Sequence, residues 1–176
     1  MTIFVAGIHG VGKSYLAQPA ALRLGMRYAT ASQLIREELG RASWDANKRV
    51  GNVAQNQVAL VSAIRRINEE GQSLLLDGHF VLRIAVDEHE RLPEAVFRDV
   101  RCKAVVLLTC PTGLVLSRLL ERRDNSWSEA EVISFACAEA EHARSICASL
   151  AIPLVSLQTP SSNEFDAALT GLSMAN

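Results

Sequence analysis

The 176-residue sequence predicts one α/β domain, in which helices cover both faces of a parallel sheet of five strands. Short apolar segments alternate along the chain with longer segments of helical periodicity. Glycines and prolines lie at many of the boundaries between these segments. The composition, 49% hydrophobic and 21% charged, is typical of a globular protein with a hydrophobic core. Without an internal repeat or a low-complexity linker, residues 1–176 are expected to form a single domain.

In the first half of the chain, strands alternate with helices, and two successive helices precede the third strand. Strands are predicted at Thr2–Ala6, Arg27–Thr30 and residues 73–77, and helices over residues 13–24, 32–39 and 47–70. Pro19 lies inside the first helix, where it removes a backbone donor and is expected to kink the helix. A stripe at helical spacing along the third helix comprises Val53, Gln57, Leu60, Val61, Ile64 and Ile67.

The second half of the chain predicts two more strands, each followed by a helix. The strands are expected at residues 103–110 and 152–157, and the helices over residues 112–123, 129–150 and 163–172. Ser128 and Glu131 form a capping box at the start of the long helix. Residues 78–100 are less periodic, and we expect them to form an excursion on the active-site side, with a helical piece near residues 92–100.

The residues from Gly7 to Ser14 follow the pattern G-x-x-x-x-G-K-[ST] between an apolar strand and a helix. The glycines allow successive backbone N–H groups to converge on phosphate oxygens, and the helix adds its positive N-terminal end. Lys13 would reach the β- and γ-phosphates, and Ser14 would supply a hydroxyl to Mg²⁺. The sequence therefore predicts a P-loop NTPase fold that binds ATP or GTP. The residues expected to contact the nucleotide are Gly7, His9, Gly10, Val11, Gly12, Lys13, Ser14 and Tyr15.

A P-loop needs a second group for Mg²⁺, usually an acid at the end of a neighbouring strand. Asp77 ends the apolar strand at residues 73–77 and is the best candidate, although an Asp-Gly turn is the alternative. His79 follows two residues later and could orient water or the acceptor, or could be a turn histidine. His9 could be catalytic, but we expect its side chain to point outward from the loop.

Composition excludes several other classes of protein. The formal net charge of −1 does not suggest a nucleic-acid or polybasic membrane surface. No apolar run approaches the roughly 20 residues that span a bilayer. The four cysteines form no C-x-x-C pair, so we expect reduced thiols, mostly buried, in a cytoplasmic protein. These cysteines are Cys102, Cys110, Cys137 and Cys147.

The run IFVAGIHGVGKSYLAQPAALRLGMRYATASQLIREEL resembles the opening of adenylate kinases and related nucleoside monophosphate kinases. The resemblance implies that Ser32 begins the acceptor segment and that Arg36 grips the acceptor phosphate. LLLDGHF resembles the D-x-H strand end of the small archaeal and nuclear-type adenylate kinases. VVLLTCPTGLVLSRLLERRD resembles the family's fourth strand and lid-leading helix, with lid arginines at Arg118 and Arg122. The family likeness implies a short acceptor-binding segment at about residues 31–70 and a short lid at about residues 118–128.

The chain also departs from the pattern of ordinary adenylate kinases. Gly78-His79-Phe80-Val81 replaces the family's G-F-P-R element, although Arg83 lies nearby. Gln33 occupies the position of the acid in the acceptor segment. The lid is short and has no metal-binding cysteines. These departures leave the identity of the acceptor open, including whether it is a nucleotide.

Several charged and aromatic residues have two interpretations. Arg118 and Arg122 lie one helical turn apart and favour a phosphate clamp, but surface pairs with Glu121, Asp124 or Glu129 are the alternative. Arg36 could be a solvated helix charge, and the roles of Arg83 and Arg123 stay open. Glu139 is expected at the edge of an apolar stripe rather than as a buried partner of a lid arginine. Trp44 and Trp127 are expected to serve packing rather than base stacking.

Taken together, these features predict a kinase that moves the γ-phosphoryl group of ATP to a small phosphorylated acceptor. Lys13, Asp77, Arg118 and Arg122 are the expected catalytic residues, Ser14 and Asp77 the metal-binding ones, and Ser32, Arg36 and His79 the acceptor-binding ones. A nucleoside monophosphate is the first candidate acceptor. The alternatives are a nucleotide-dependent switch that docks a partner and a kinase of a non-nucleotide metabolite.

Overall fold

The computed structural model describes residues 1–40 and 53–174. The strands are β1 (Thr2–Ala6), β2 (Arg27–Thr30), β3 (Leu74–Asp77), β4 (Val81–Ala85), β5 (Glu88–Arg91), β6 (Cys102–Thr109) and β7 (Leu154–Gln158). The helices are α1 (Lys13–Arg23), α2 (Ala31–Glu38), α3 (Val53–Glu69), α4 (Glu94–Asp99), α5 (Thr112–Glu121), α6 (Glu129–Ser149) and α7 (Ser162–Met174).

The main sheet has five parallel strands in the order β2-β3-β1-β6-β7, which confirms the predicted fold class. Every residue of β1 and β3 is buried, as is expected for central strands with helices on both faces. Helix α1 contacts β1, β2, β3 and α7, whereas α4 and α6 contact β6. This arrangement leaves the carboxyl edge of the sheet as the place where the loops after the strands meet.

The register of the sheet brings the predicted site residues together at that edge. Asp77, the last residue of β3, lies opposite Val5 of β1 and opposite Thr30 of β2. The loop after β1 is the P-loop, and the segment after β2 begins α2. Parallel pairing therefore places the P-loop, Asp77 and the start of the acceptor segment side by side.

Residues 78–100 differ most from the prediction. The helical piece is present as α4, but strands β4 and β5 form an antiparallel hairpin that the sequence analysis missed. Strand β5 has the sequence Glu-His-Glu-Arg, without the apolar alternation that marks a strand. The connecting turn holds Asp87 at a φ of 58° and has no Asn-Gly or Asp-Gly pair.

Most other helix boundaries lie close to the predicted ones. Helix α1 runs through Pro19 without interruption, and α6 has the predicted Ser128 cap, whose hydroxyl accepts from the amide of Glu131. The predicted start of the third helix and Trp44 fall outside the described residues. None of the helices among the residues described combines the length and the apolar character needed to cross a bilayer.

The four cysteines are free thiols, as predicted, but they differ in how far they are buried. Cys102 and Cys147 are buried, Cys110 is half-buried and Cys137 is exposed. Burial raises the pKa of the Cys102 thiol to about 12 and that of Cys147 to about 11. These two thiols are therefore protonated and unreactive near neutral pH.

Candidate active site

The P-loop connects β1 to α1 and depends on glycine at its tightest points. Gly7 has a φ of 136°, and a Cβ atom there would lie 2.5 Å from the carbonyl oxygen of Leu108 on β6. Gly12 is the N-cap of α1, with a φ of 102°. Any other residue would be strained at these two positions, so the backbone curvature predicted from the motif is built into the sequence.

Lys13 is buried, with only 7% of the residue exposed. Its Nζ donates to the carbonyl oxygens of Gly7 at 2.7 Å and Ile8 at 3.3 Å, and lies 3.8 Å from Oδ1 of Asp77. Burial lowers the pKa of Lys13, while the carboxylates of Asp77 and Glu139 oppose that shift. The ammonium group thus lies between the start of the P-loop and the end of β3.

Asp77 and Ser14 are in direct contact, as expected for two groups that share a metal ion. The Ser14 hydroxyl donates to Oδ2 of Asp77 at 2.8 Å, and the phenol of Tyr28 on β2 donates to the same oxygen at 3.0 Å. Mainly because it is buried, Tyr28 has its pKa raised to about 12. Hydroxyl and carboxylate oxygens are the ligands that Mg²⁺ prefers, so this pair fits the predicted metal. Tyr28 was not identified from the sequence.

The same pair also fits the way in which Mg²⁺ is usually bound. Among residues 1–40 and 53–174, no group of three or more His, Cys, Asp or Glu side chains could hold a metal ion. Mg²⁺ in phosphoryl-transfer sites is held by one or two protein oxygens together with phosphates and water. Ser14 and Asp77 together supply two such oxygens.

The prediction that His9 points outward is wrong. Its ring packs 4.5 Å from that of His79, 5.8 Å from that of Trp127 and 6.3 Å from that of Phe135, measured between ring centroids. Phe135 lies on α6, which covers this part of the P-loop. The expected packing role of Trp127 is confirmed by its position in this cluster. His79 also reaches the P-loop, since its Nε2 lies 3.5 Å from Nζ of Lys13.

Glu139 is also placed differently from the prediction. Only 1% of the residue is exposed, and its carboxylate accepts from the backbone amides of Gly7, Phe80 and Val81. It is therefore neither at the edge of a stripe nor the partner of a lid arginine. Burial raises the pKa of Glu139, whereas the three amides and the charge of Lys13 oppose that shift.

The two arginines predicted to close over the site differ in position: Arg118 lies in α5, and Arg122 lies at its end. Arg118 donates through Nη1 to the carbonyl oxygen of Gly10 at 2.9 Å, so it already contacts the P-loop. Arg122 is the exposed C-cap of α5, and its charge contributes to lowering the pKa of Lys13. Within the part of the chain that the structure describes, neither forms the surface pairs considered as alternatives. The charge of Arg118 therefore lies against the loop that would hold phosphate.

The predicted acceptor residues lie on α2, which begins directly after β2. Arg36 is half-buried, and its side chain makes no hydrogen bond or ion pair with any residue among those described. Ser32 is exposed, with its hydroxyl 3.1 Å from that of Thr30. Gln33 donates to Glu37 on the same helix. A half-buried arginine that has no partner within residues 1–40 and 53–174 is consistent with a site for an anionic ligand.

Arg83, whose role the sequence left open, forms its hydrogen bonds with residues outside the P-loop. It donates to Glu131 through Nε at 2.6 Å and Nη2 at 2.9 Å, and its guanidinium lies 3.9 Å above the Trp127 ring. It also donates to the hydroxyl and carbonyl oxygens of Ser126. Arg83 therefore anchors the β4–β5 hairpin to α6 and to the predicted lid.

The remaining predicted nucleotide contacts differ in exposure. Tyr15 is 80% exposed in the first turn of α1, whereas Val11 is buried beneath the loop. A contact between Val11 and a nucleotide would therefore come from its backbone amide. The predicted contact through Tyr15 stays a prediction, because its side chain extends into solvent.

Solved structures with the same fold include several small kinases. The shikimate kinase of Acinetobacter baumannii, in complex with shikimate, is 16% identical with a TM-score of 0.63, and the match covers 99% of this chain and 93% of that one. The Bacteroides thetaiotaomicron shikimate kinase is 16% identical with a TM-score of 0.59, covering 99% and 98%. A gluconokinase from Sinorhizobium meliloti is 15% identical with a TM-score of 0.55, covering 99% and 92%. At these identities the matches support the fold and do not single out adenylate kinases.

Comparison with curated proteins gives no match. Comparison with protein families gives one match, which covers residues 6–134 of this chain; the matching family is described as an AAA domain. The matched region includes the P-loop, Asp77, α5 and the first residues of α6. Since the match spans more than half of the sequence, the chain belongs to this AAA domain family.

Proposed function

We propose that the protein is an ATP-dependent kinase that transfers the γ-phosphoryl group to a small anionic acceptor, with a nucleoside monophosphate as the first candidate. The observation that carries this proposal is the contact network of Lys13, Ser14 and Asp77 beside the P-loop. An ammonium, a hydroxyl and a carboxylate at the carboxyl edge of a parallel sheet are the groups that phosphoryl transfer from a nucleotide requires.

The donor half of the site holds and neutralises the polyphosphate. The P-loop amides would bind its oxygens, and Lys13 would turn from the carbonyl groups of Gly7 and Ile8 to the β- and γ-phosphates. Ser14 and Asp77 would hold Mg²⁺, directly or through water. The ion, when bound, neutralises charge that develops on the phosphate oxygens. Tyr28 keeps Asp77 oriented through its hydrogen bond.

The acceptor half of the site is assigned to α2 and the end of β3. Arg36 would bind the anionic group of the acceptor, Ser32 would contact it, and His79 would orient it or a water molecule. Arg118 and Arg122 would close over the transferring group and exclude water, which suppresses hydrolysis. The acceptor of a nucleotide kinase is already anionic, so the chemistry needs positioning and charge rather than a strong base.

A second candidate is a kinase of a non-nucleotide metabolite. The structural likeness to shikimate kinase and gluconokinase favours it, since those proteins are named for hydroxylated carboxylic acids. Gln33, in place of the acid of the adenylate kinase pattern, is also compatible with a different acceptor. Arg36 suits either candidate, because a guanidinium can form two parallel hydrogen bonds with a carboxylate or with a phosphate.

An assay of ADP release with Mg²⁺ and ATP tests the proposal. The acceptor panel should contain nucleoside monophosphates, nucleosides, shikimate and gluconate, each compared with a reaction without acceptor. Strong stimulation by one monophosphate supports the first candidate, and stimulation by a hydroxy acid supports the second. Slow release that no acceptor changes would contradict both and would favour a nucleotide-dependent switch.

A further inference from the structure

One buried carboxylate holds two separate segments of the candidate site. Oε1 of Glu139 accepts from the amide of Gly7, the first residue of the P-loop, at 3.1 Å. Oε2 accepts from the amides of Phe80 at 2.9 Å and Val81 at 2.7 Å, just after the strand end that carries Asp77. These two segments carry the predicted phosphate-binding and metal-binding groups.

The chemistry of this contact requires a carboxylate. All three hydrogen-bond partners of Glu139 are backbone N–H donors, and an ionised carboxylate is the side chain that only accepts. An amide of the same shape would turn an N–H group toward at least one of these donors. Because the site is buried, water cannot readily replace the lost hydrogen bond.

The position of Glu139 along the chain connects the site to the predicted lid. Helix α6 begins at Glu129, directly after the lid at about residues 118–128. About two turns before Glu139, Glu131 holds Arg83 and the amide of Asp87 on the β4–β5 hairpin. One helix thus fastens the P-loop, the segment that follows β3 and the hairpin.

We propose that Glu139 is a positioning residue for nucleotide binding. By fixing Gly7 and the segment after Asp77 to one carboxylate, it sets the separation between the P-loop and the strand end that carries the predicted metal ligand. In this proposal it acts through these two backbone segments and not by contact with the nucleotide. This inference rests on the proposed function, namely that the P-loop binds Mg²⁺ and ATP.

The test compares Glu139→Gln with Glu131→Gln. Both changes remove a buried carboxylate from α6, but only Glu139 touches the P-loop. We expect Glu139→Gln to weaken binding of ATP with Mg²⁺, measured by calorimetry, by at least about tenfold, because hydrogen bonds to a buried charge are lost. Glu131→Gln should lower the melting temperature yet keep the dissociation constant within about twofold of the wild type.

Hydrogen exchange supplies a readout that does not depend on activity. In Glu139→Gln, peptides that contain the amides of Gly7, Phe80 and Val81 should exchange faster, while peptides from β6 and β7 should keep their wild-type rates. A folded Glu139→Gln variant with wild-type affinity would overturn the inference. The inference would also be overturned if hydrogen exchange in Glu139→Gln were faster throughout the chain and no different from exchange in Glu131→Gln.

Two further outcomes are informative. If Glu139→Gln does not fold, Glu139→Asp replaces it, because aspartate retains the charge but is one methylene shorter. A loss of affinity for ATP of about threefold or more would support the inference, and an unchanged affinity would overturn it. If the folded wild-type protein binds no ATP, the proposed function fails, and this inference fails with it. Wild-type binding together with unchanged binding by the variants would overturn the inference alone.

Discussion

Lys13 carries a positive charge into a position where little of the residue meets solvent. Two loop carbonyl groups and the carboxylate of Asp77 compensate for the loss of water. Such a group is held close to where phosphate would bind and is poorly hydrated, so its attraction to phosphate is stronger than in water. The neighbouring hydroxyl of Ser14 is fixed by the same carboxylate.

Replacing Lys13 by alanine should abolish turnover, because it removes the positive charge expected at the β- and γ-phosphates. We expect kcat, measured as ADP release, to fall by at least about 10²-fold. Lys103→Ala is the control, since Lys103 is an exposed lysine on β6. Near-normal activity of Lys13→Ala would contradict the assignment of the site.

Replacing Arg36 by alanine should affect the acceptor far more than ATP. Its side chain has no partner among the described residues, so its removal leaves no buried group among them unpaired. We expect the acceptor KM to rise by about 10- to 100-fold while the KM for ATP stays within about twofold, as measured by steady-state kinetics. Arg144→Ala is the control, since Arg144 is an exposed arginine on α6 outside the predicted acceptor-binding segment and lid. Equal effects on both substrates would refute the acceptor role of Arg36.

The sequence predicts some site residues well and others not at all. Lys13, Ser14 and Asp77 could be predicted because each lies in a local pattern, a glycine motif or the end of an apolar strand. Tyr28 and Glu139 could not, because their roles arise from contacts with residues far away in the chain. Nothing in the sequence around Glu139 indicates that its partners are three backbone amides.

At the scale of elements, the β4–β5 hairpin depends on one buried ion pair. The Arg83 and Glu131 side chains are 16% and 0% exposed, and two parallel hydrogen bonds join them. Burial favours the neutral form of Glu131, but the hydrogen bonds from Arg83 and the Asp87 amide and the charge of Arg83 hold its pKa below the ordinary value. The pair fixes a hairpin whose second strand, β5, lacks the apolar alternation of a strand, which explains why the sequence analysis missed it.

Breaking this pair should destabilise the protein strongly. We expect Arg83→Met to lower the free energy of unfolding by about 3–5 kcal/mol at pH 7, because the Glu131 charge is left buried without its partner. Urea unfolding measures the loss, and Arg83→Met combined with Glu131→Leu should recover most of it. Arg23→Met is the control, since Arg23 forms an equally bidentate but exposed pair with Asp166 and should have a much smaller effect.

The same pair predicts a dependence on pH. A carboxyl group whose folded pKa is depressed stabilises the protein above its unfolded pKa, about 4.3 for Glu, and that contribution is lost as pH falls through the folded pKa. The difference between the wild type and Arg83→Met should therefore be largest near neutral pH and shrink as pH falls, first as the carboxyl group left without Arg83 takes up a proton and finally as the wild-type Glu131 does. A difference that stays constant from pH 7 to pH 3 in urea unfolding would contradict the role of the pair.

At the scale of the whole molecule, the strand order determines where the site forms. Insertion of β3 between β1 and β2 places Asp77 next to both the P-loop and the start of α2. The five parallel strands could be predicted from the alternation of apolar and helical segments, because the central strands of such a sheet are apolar throughout. The path of α6 over the P-loop could not be predicted, since helical periodicity gives the buried face of a helix but not the partner that covers it.

Binding of ATP should stabilise the whole domain, because the nucleotide would contact loops that follow separate strands of one sheet. At a free ligand concentration 100 times the dissociation constant, the gain is about 2.7 kcal/mol. For a chain of this length we expect a rise in melting temperature of roughly 5–10 °C, measured by calorimetry or thermal-shift assay. Adding EDTA should reduce the rise if Ser14 and Asp77 hold Mg²⁺ with the nucleotide, and Lys13→Ala should remove most of it. A folded wild-type protein whose melting temperature does not respond to ATP or GTP with Mg²⁺ would show that the P-loop does not bind nucleotide.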